Sequence, residues 1–291
     1  MKLQIKFTLL FIFVFGAGLA LTSVFSYRFL QENARQEVLQ QARLMLQSAI
    51  SMRHYTETEI APLLDTPATR KVRFLPQSIP FYAATQGFNL IRRQYPDYAY
   101  KEAALNPTNP RDKAADWEAD VINTFRNHGD RHELIGERDT PTGPSLFLAR
   151  PVAAQTACLE CHSRASIAPA SMTRIYGPSN GFGWKDGEVV GAQIISIPAS
   201  IAEAVAQSAF RNLIVYLAVV ALVTLVVLNI TLYVIVIRPV TKLSALAESI
   251  SRGNLDAEIP VQGSDEIAVL GRSFNRVYVS LSKAMQMLDG H

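Results

Sequence analysis

Cysteine is nearly absent from this 291-residue chain, which holds two, Cys158 and Cys161. Charge is scarce, at 18% of residues, and balanced: 28 Lys and Arg against 25 Asp and Glu leave a formal +3. Such a balance lacks the basic excess of a nucleic-acid binder, and 49% hydrophobic residues make the chain too apolar to be disordered. No paired base and nucleophile stands out, so the chain does not read as an enzyme. What it has instead is concentrated apolar runs.

Residues 7–27 and 212–237 carry no charged side chain. At 1.5 Å per residue the first spans roughly 31 Å as a helix, the thickness of a hydrocarbon core. Both are expected to cross a lipid bilayer and to bracket residues 28–211. The first run follows Lys2 and Lys6 and contains Gly16, Ala17, Gly18 and Ala20, so it also reads as a secretory signal. Its apolar part is longer than a signal's, which favours a retained helix, and either version exports the middle of the chain. Flanking charge leans weakly towards cytoplasmic termini, with Lys2, Lys6, Arg238, Lys242 and Arg252 set against Arg28, Arg35 and Arg211.

The cysteines lie in Cys158-Leu159-Glu160-Cys161-His162. Cys-x-x-Cys-His is the attachment signature of c-type haem, in which both thiols bond the porphyrin and the histidine ligates its iron. Three other readings compete. A disulfide across so short a loop adds little stability. A thioredoxin-like dithiol needs no following histidine and belongs in a βαβ pattern, which is not evident here. Structural zinc wants four ligands, and the sequence has no second such pair. The expectation is one haem c on Cys158 and Cys161, with His162 as the proximal iron ligand. Bacteria attach haem c outside the cytoplasmic membrane, which makes residues 28–211 periplasmic and both termini cytoplasmic.

With both thiols consumed, the sixth iron ligand is sought among His54, His128, His132, Met45, Met52 and Met172. Residues 31–64 lack glycine and carry apolar rows at Val38, Ala42, Met45, Ala49 and Met52, and at Leu39, Leu46, Ile50 and His54. These predict a helix with a wide apolar stripe. Met52 and His54 stand about 200° apart around it, so one iron takes His54 or Met52, not both. Imidazole is the commoner partner and ranks His54 first. His128 and His132, in a charged loop, are expected in solvent. Arg53 pairs a haem propionate or is simply exposed.

From Phe74 to Tyr100 the chain reads as loop-rich and aromatic, and Asn106-Pro107 and Asn109-Pro110 force extended backbone. A helix is expected over about 113–125, a strand over 145–152, and a hairpin turn at Lys185–Glu188 opening a strand over 189–197. A long helix followed by antiparallel strands is the order of an α+β ligand-sensing domain. The chain resembles bacterial membrane proteins whose exported PAS-like domain carries one c-type haem. The resemblance rests on Arg53-His54-Tyr55-Thr56 with Pro62-Leu63-Leu64, on Lys101-Glu102-Ala103 through Asn106-Pro107-Thr108-Asn109-Pro110-Arg111, on Cys158–His162, and on Tyr176-Gly177 with Gly181-Phe182-Gly183-Trp184. It covers about residues 40–198 and implies haem c on Cys158 and Cys161 with His162 as axial ligand. It implies no distal ligand, because some relatives use a thiolate that is missing here.

Beyond residue 237, Val240, Leu243, Ala247 and Ile250 keep heptad spacing until Gly253, Asn254 and Pro260 break it. Ile267, Leu270, Phe274, Val277, Leu281, Ala284 and Leu288 then resume it without interruption. Pro239, the short connector and Asp265-Glu266 make residues 238–291 resemble a HAMP domain, with a plain dimerising coiled coil as the alternative. The HAMP resemblance implies a homodimer and a relay of conformational change across the membrane. No kinase, cyclase or methyl-accepting module follows, so a separate cytoplasmic signalling protein is expected to read the output. The combined reading is a haem-c sensor of redox state or a small ligand. A membrane-anchored electron-transfer cytochrome is the alternative, and a sensor using the cysteine pair as a thiol switch is a third class.

Overall fold

The computed structural model describes residues 3–141, 143–252 and 263–289. It divides into two units, Arg28–Ala209 and the pair of segments Met1–Tyr27 and Phe210–His291.

In the first of these, helix α1 (Leu3–Tyr55) contributes the residues beyond Arg28. Its buried stripe, Ala34, Val38, Leu39, Ala42, Leu46 and Ala49, follows the i, i+4 rhythm that puts apolar side chains on one face. Past Tyr55 the helix widens into a π-helical turn over Thr56–Ile60 and closes as α2 (Ala61–Leu64). The helix expected over 31–64 is therefore present with one over-wide turn, a feature that often marks a functional site. Thr66 opens α3 (Pro67–Val72) by exchanging hydrogen bonds with Thr69.

The segment expected to be loop-rich contains α4 (Pro80–Gln94) and β1 (Ala99–Ala104). Pro80 sits in the first turn of α4, where its missing N–H costs nothing. Strands β1, β2 (Leu134–Thr140), β3 (Gly143–Ala153) and β4 (Val189–Pro198) form an antiparallel sheet in the order β1-β4-β3-β2. One face packs Leu146, Leu148, Ile195 and Ile197 against α1 and Phe88 of α4. The other packs Ala103, Ala149, Ala192 and Ile194 against Val121, Ile122 and Phe125 of α5 (Asp116–Asn127). Side chains alternate between the faces with the period of two that a strand imposes. Each fully buried Leu or Ile contributes about 1.5–3 kcal/mol.

Two boundaries differ from expectation. Helix α5 starts at Asp116 rather than near Lys113, because Glu118 Oε2 accepts the Ala115 N–H at 2.8 Å and fixes the first turn there. The turn at Lys185–Glu188 does not join consecutive strands. It closes the β3–β4 ladder through Ala154 N–H to Glu188 O and Gly187 N–H to Ala154 O, both 2.8 Å. Between those strands the chain makes the excursion that carries α6 (Thr156–His162) and α7 (Ala170–Tyr176).

The second unit takes in the N-terminal part of α1, the later part of α8 (Ala199–Thr231), a π-helical turn over Leu232–Ile237, α9 (Arg238–Ser251) and α10 (Glu266–Asp289). Two of its helical stretches are long and apolar enough to cross a membrane. Thr8 on one donates a hydrogen bond to Asn229 Oδ1 on the other, the kind of pairing polar groups need in lipid. Pro239 lies in the first turn of α9, and Asp265 Oδ1 caps α10 by accepting the Ala268 N–H at 2.8 Å. Along α10, Leu270, Phe274, Val277 and Leu281 are exposed. The break at Gly253, Asn254 and Pro260 and the terminal His291 lie outside the described residues, as does the side chain of Leu288.

Candidate functional site

Helix α6 puts Cys158, Cys161 and His162 at i, i+3 and i+4, which is one helical face. All three line a cleft of about 440 Å³. Its wall includes Arg53 and Glu57, Arg70, Phe74, Phe81 and Tyr82, Glu102 to Ala104 of β1, Pro107 to Asn109, Arg111 and Asp112, Met172 and Tyr176, and Trp184. Both cysteines are free and half-buried. Burial pushes the Cys161 thiol up, against a smaller opposing pull from the Arg70 cation. Among the described residues no group of three or more His, Cys, Asp or Glu gathers as a metal cluster would.

His162 is held from two sides. Its Nδ1 lies 2.7 Å from the carbonyl oxygen of Gly181, and since a carbonyl only accepts, Nδ1 is the protonated nitrogen. The lone pair is therefore on Nε2, the state a metal-binding imidazole adopts. The ring stacks on Trp184 with centroids 4.1 Å apart and planes 13° apart. Thr108 Oγ1 approaches Nδ1 at 3.3 Å. Burial holds the ring's pKa below the usual histidine range, with the Gly181 hydrogen bond opposing, so the neutral form prevails at pH 7.

Two loops bring these partners together. Asn106 accepts the Gly181 N–H on its Oδ1 at 3.2 Å and donates to the Phe182 carbonyl at 3.4 Å. Gly181 (φ +83°) is in the left-handed region, and its α-carbon faces Thr108 so closely that no Cβ fits between them. The Asn-Pro-Thr-Asn-Pro loop and the Gly-Phe-Gly-Trp segment, remote in sequence, thus converge on one histidine. From the other end Arg70 clamps α6. Its Nε and Nη2 hold Asp65 at 2.7 and 2.8 Å, and its Nη1 holds Glu160, between the two cysteines, at 2.9 Å.

Neither His54 nor Met52, the two helix candidates, lines the cleft. Helix phase puts Arg53 and Glu57 there, one turn apart. His54 is exposed, and Met52, 39% exposed, rests its sulfur against Gly87 of α4. His128 and His132 are exposed, and Met45 packs against the core on the α1 face of the sheet. Of the six candidates Met172 alone lines the cleft, 3% exposed. The Arg53 guanidinium stacks on Phe81, with Cζ 3.7 Å from the ring centre, while its buried Nε has no hydrogen-bond partner.

A group that sequence reasoning missed stands across the cleft. Glu102, 7% exposed, pairs in register with Gln193. It accepts a short hydrogen bond from the Tyr100 hydroxyl and a 3.5 Å one from Gln193 Nε2. Burial pushes its carboxyl up to about 7 despite the opposing pull of Tyr100, Arg53 and Gln193. No sequence signal marked it, because Lys101 and Glu102 side by side kept the strand itself from being read.

A HAMP domain model matches residues 234–283. The crystal structure of the cyanobacterial heme-protein Tll0287 is 19% identical to this chain, covering 56% of it and 95% of its own chain with a TM-score of 0.44. No curated protein matches the chain. The Tll0287-like family model matches residues 31–198, over half of the chain, and the protein therefore belongs to the Tll0287-like family.

Proposed function

We propose that this protein is a membrane-bound haem sensor. The observation that carries the reading is the shared face of α6: two thiols and an imidazole whose Nδ1 is already engaged line one cleft. In this reading Cys158 and Cys161 bond one haem c covalently, and His162 ligates its iron through Nε2. The residues fit such a group. The cleft is walled by Phe74, Phe81, Tyr82 and Trp184, and the orphaned Nε of Arg53 is a buried donor suited to a propionate. Met172 is the sixth-ligand candidate, its thioether buried in the same cleft.

The haem would supply a one-electron centre. The chain's own residues orient and transmit. Gly181 and Trp184 fix the imidazole, Arg70 ties the α6 helix to the segment after α2, and α1 runs unbroken from Leu3 to Tyr55, with Arg53 in its last turn. A shift at Arg53 is carried along that helix. The HAMP match supports a relay rather than simple electron transfer, because an electron carrier needs no two-helix cytoplasmic element. The exposed row Leu270, Phe274, Val277 and Leu281 supports a homodimer, with α10 of a second copy covering it. Haem c attachment outside the bilayer supports a periplasmic haem domain and cytoplasmic termini in a bacterial inner membrane, with a separate cytoplasmic protein reading the output.

The test has two readouts. On a denaturing gel the wild-type band stains for haem and a Cys158→Ala/Cys161→Ala variant does not; an unstained wild type overturns haem c. In membranes, Val277→Cys adds the one thiol not consumed by haem. Its bismaleimide cross-linking to a second copy changes when the haem is reduced, and an unchanged yield overturns the relay.

A further inference from the structure

Glu102 lines the α6 cleft and also a second cavity of about 360 Å³ bounded by Thr85, Asn89, Trp117, Glu118 and Arg138. Asp112 and Arg111 line both cavities with it. Arg92 of α4 lines the second cavity together with Arg138 of β2, and the groups acting on the carboxyl itself are these. Tyr100 on its own strand donates to it, Gln193 on β4 donates to it, and Arg53 on α1 faces it with positive charge. Asp112, in the turn after β1, opposes its ionisation. Arg111 is engaged by Asp112, and on α5 Glu118 is neutralised by Lys101 at 2.6 Å. The balance of charge around Glu102 is therefore close, and a single further charge in the cleft tips it.

Resting on the haem reading above, we infer that Glu102 is a redox-linked proton acceptor. When a one-electron donor reduces the iron, the carboxylate takes one proton from solvent by way of the second cavity, and it returns that proton on oxidation. One electron and one proton enter together, so the net charge of the cleft stays constant. A buried negative charge is costly to add alone, and a carboxylate poised between ionised and neutral forms removes that cost. Burial already raises the Glu102 carboxyl well above the ordinary carboxylate range, which favours its taking up a proton. The sensor then reports reducing power and proton concentration jointly, a specificity that His162 and the cysteines by themselves do not confer.

The experiment is equilibrium redox titration of the full-length haem-loaded protein between pH 5 and 9, alongside Glu102→Gln. In the wild type the reduction equilibrium constant falls towards tenfold per pH unit in the window above the oxidised-state pKa of Glu102. In Glu102→Gln it becomes independent of pH, while the haem stain persists. A flat wild-type profile, or the same slope in both proteins, overturns the inference and leaves the haem reading intact. An unstained wild type overturns both. Should Glu102→Gln fail to load haem, reduced-minus-oxidised infrared spectra of the wild type decide: a protonated-carboxyl C=O band that shifts in D2O supports the inference, and its absence overturns it.

Discussion

The His162 imidazole lies flat on the Trp184 indole, centroids 4.1 Å apart and planes 13° from parallel. The Trp184 N–H also bonds the His162 carbonyl at 3.2 Å, so backbone and side chain are gripped by the same residue. A ring so held cannot rotate about χ2 without losing the stack. Trp184→Ala is expected to cost about 2 kcal/mol, combining lost area and stacking. It also frees the imidazole, which shows as a mixed high- and low-spin spectrum of the haem-loaded protein. Trp184→Phe keeps a stacking surface and restores most of the low-spin fraction.

Gly181 supplies the carbonyl that fixes the His162 tautomer. A Cβ there would collide with Thr108 Oγ1 and lie 2.8 Å from the Thr108 backbone, at a φ of +83° that side chains seldom adopt. Gly181→Ala is expected to destabilise the domain by at least about 2 kcal/mol in thermal melts. Thr108→Ala relieves only the side-chain collision, so Gly181→Ala combined with Thr108→Ala recovers part of the loss. Full recovery would show that backbone strain contributes nothing.

Much of this architecture was legible before any coordinates. The stripe Val38, Ala42 and Leu46 has helical period, and Val189 to Ile197 is β-branched and continuous, so both elements follow from spacing. Helix α4 hid behind Pro80, Gly87 and a cluster of aromatics that imitate loop composition, although Pro80 occupies the one turn that tolerates it. Strand β1 hid because Lys101 and Glu102 break its apolar run, and only the fold supplies Glu118 to one and Tyr100 to the other. The cysteines and His162 were legible as a motif. Their supports were not, because Thr108 and Gly181 are 54 and 19 residues away from His162.

Glu102 makes stability depend on pH with a definite sign. Its pKa rises on folding from 4.5 to about 7, so between these values the folded state binds more protons than the unfolded one. Stability therefore falls as pH rises through that window and levels off above it. The interval corresponds to roughly 3 kcal/mol. In thermal melts of the haem-free Cys158→Ala/Cys161→Ala protein, Glu102→Gln is expected to gain stability relative to its parent from pH 5 to 7. Parallel pH profiles for the two proteins would rule out a raised carboxyl pKa.

If the cleft holds a haem, helix phase bears on its sixth ligand. The cleft-facing positions are Arg53 at the end of α1 and Glu57 in the π-helical turn after it, neither a donor that iron favours over imidazole or thioether. Met52 presents its sulfur to Gly87, and His54 is exposed. His54→Ala and Met52→Ala are therefore expected to leave the low-spin absorption spectrum unchanged. Met172 is buried in the cleft wall, and Met172→Leu preserves its volume while removing the sulfur, so the cost to folding stays below about 1.5 kcal/mol. The expected outcome is loss of thioether ligation in the oxidised spectrum of Met172→Leu, with a normal melt. An unchanged spectrum in Met172→Leu beside a changed one in His54→Ala would mean that α1 turns its other face to the iron when haem is bound.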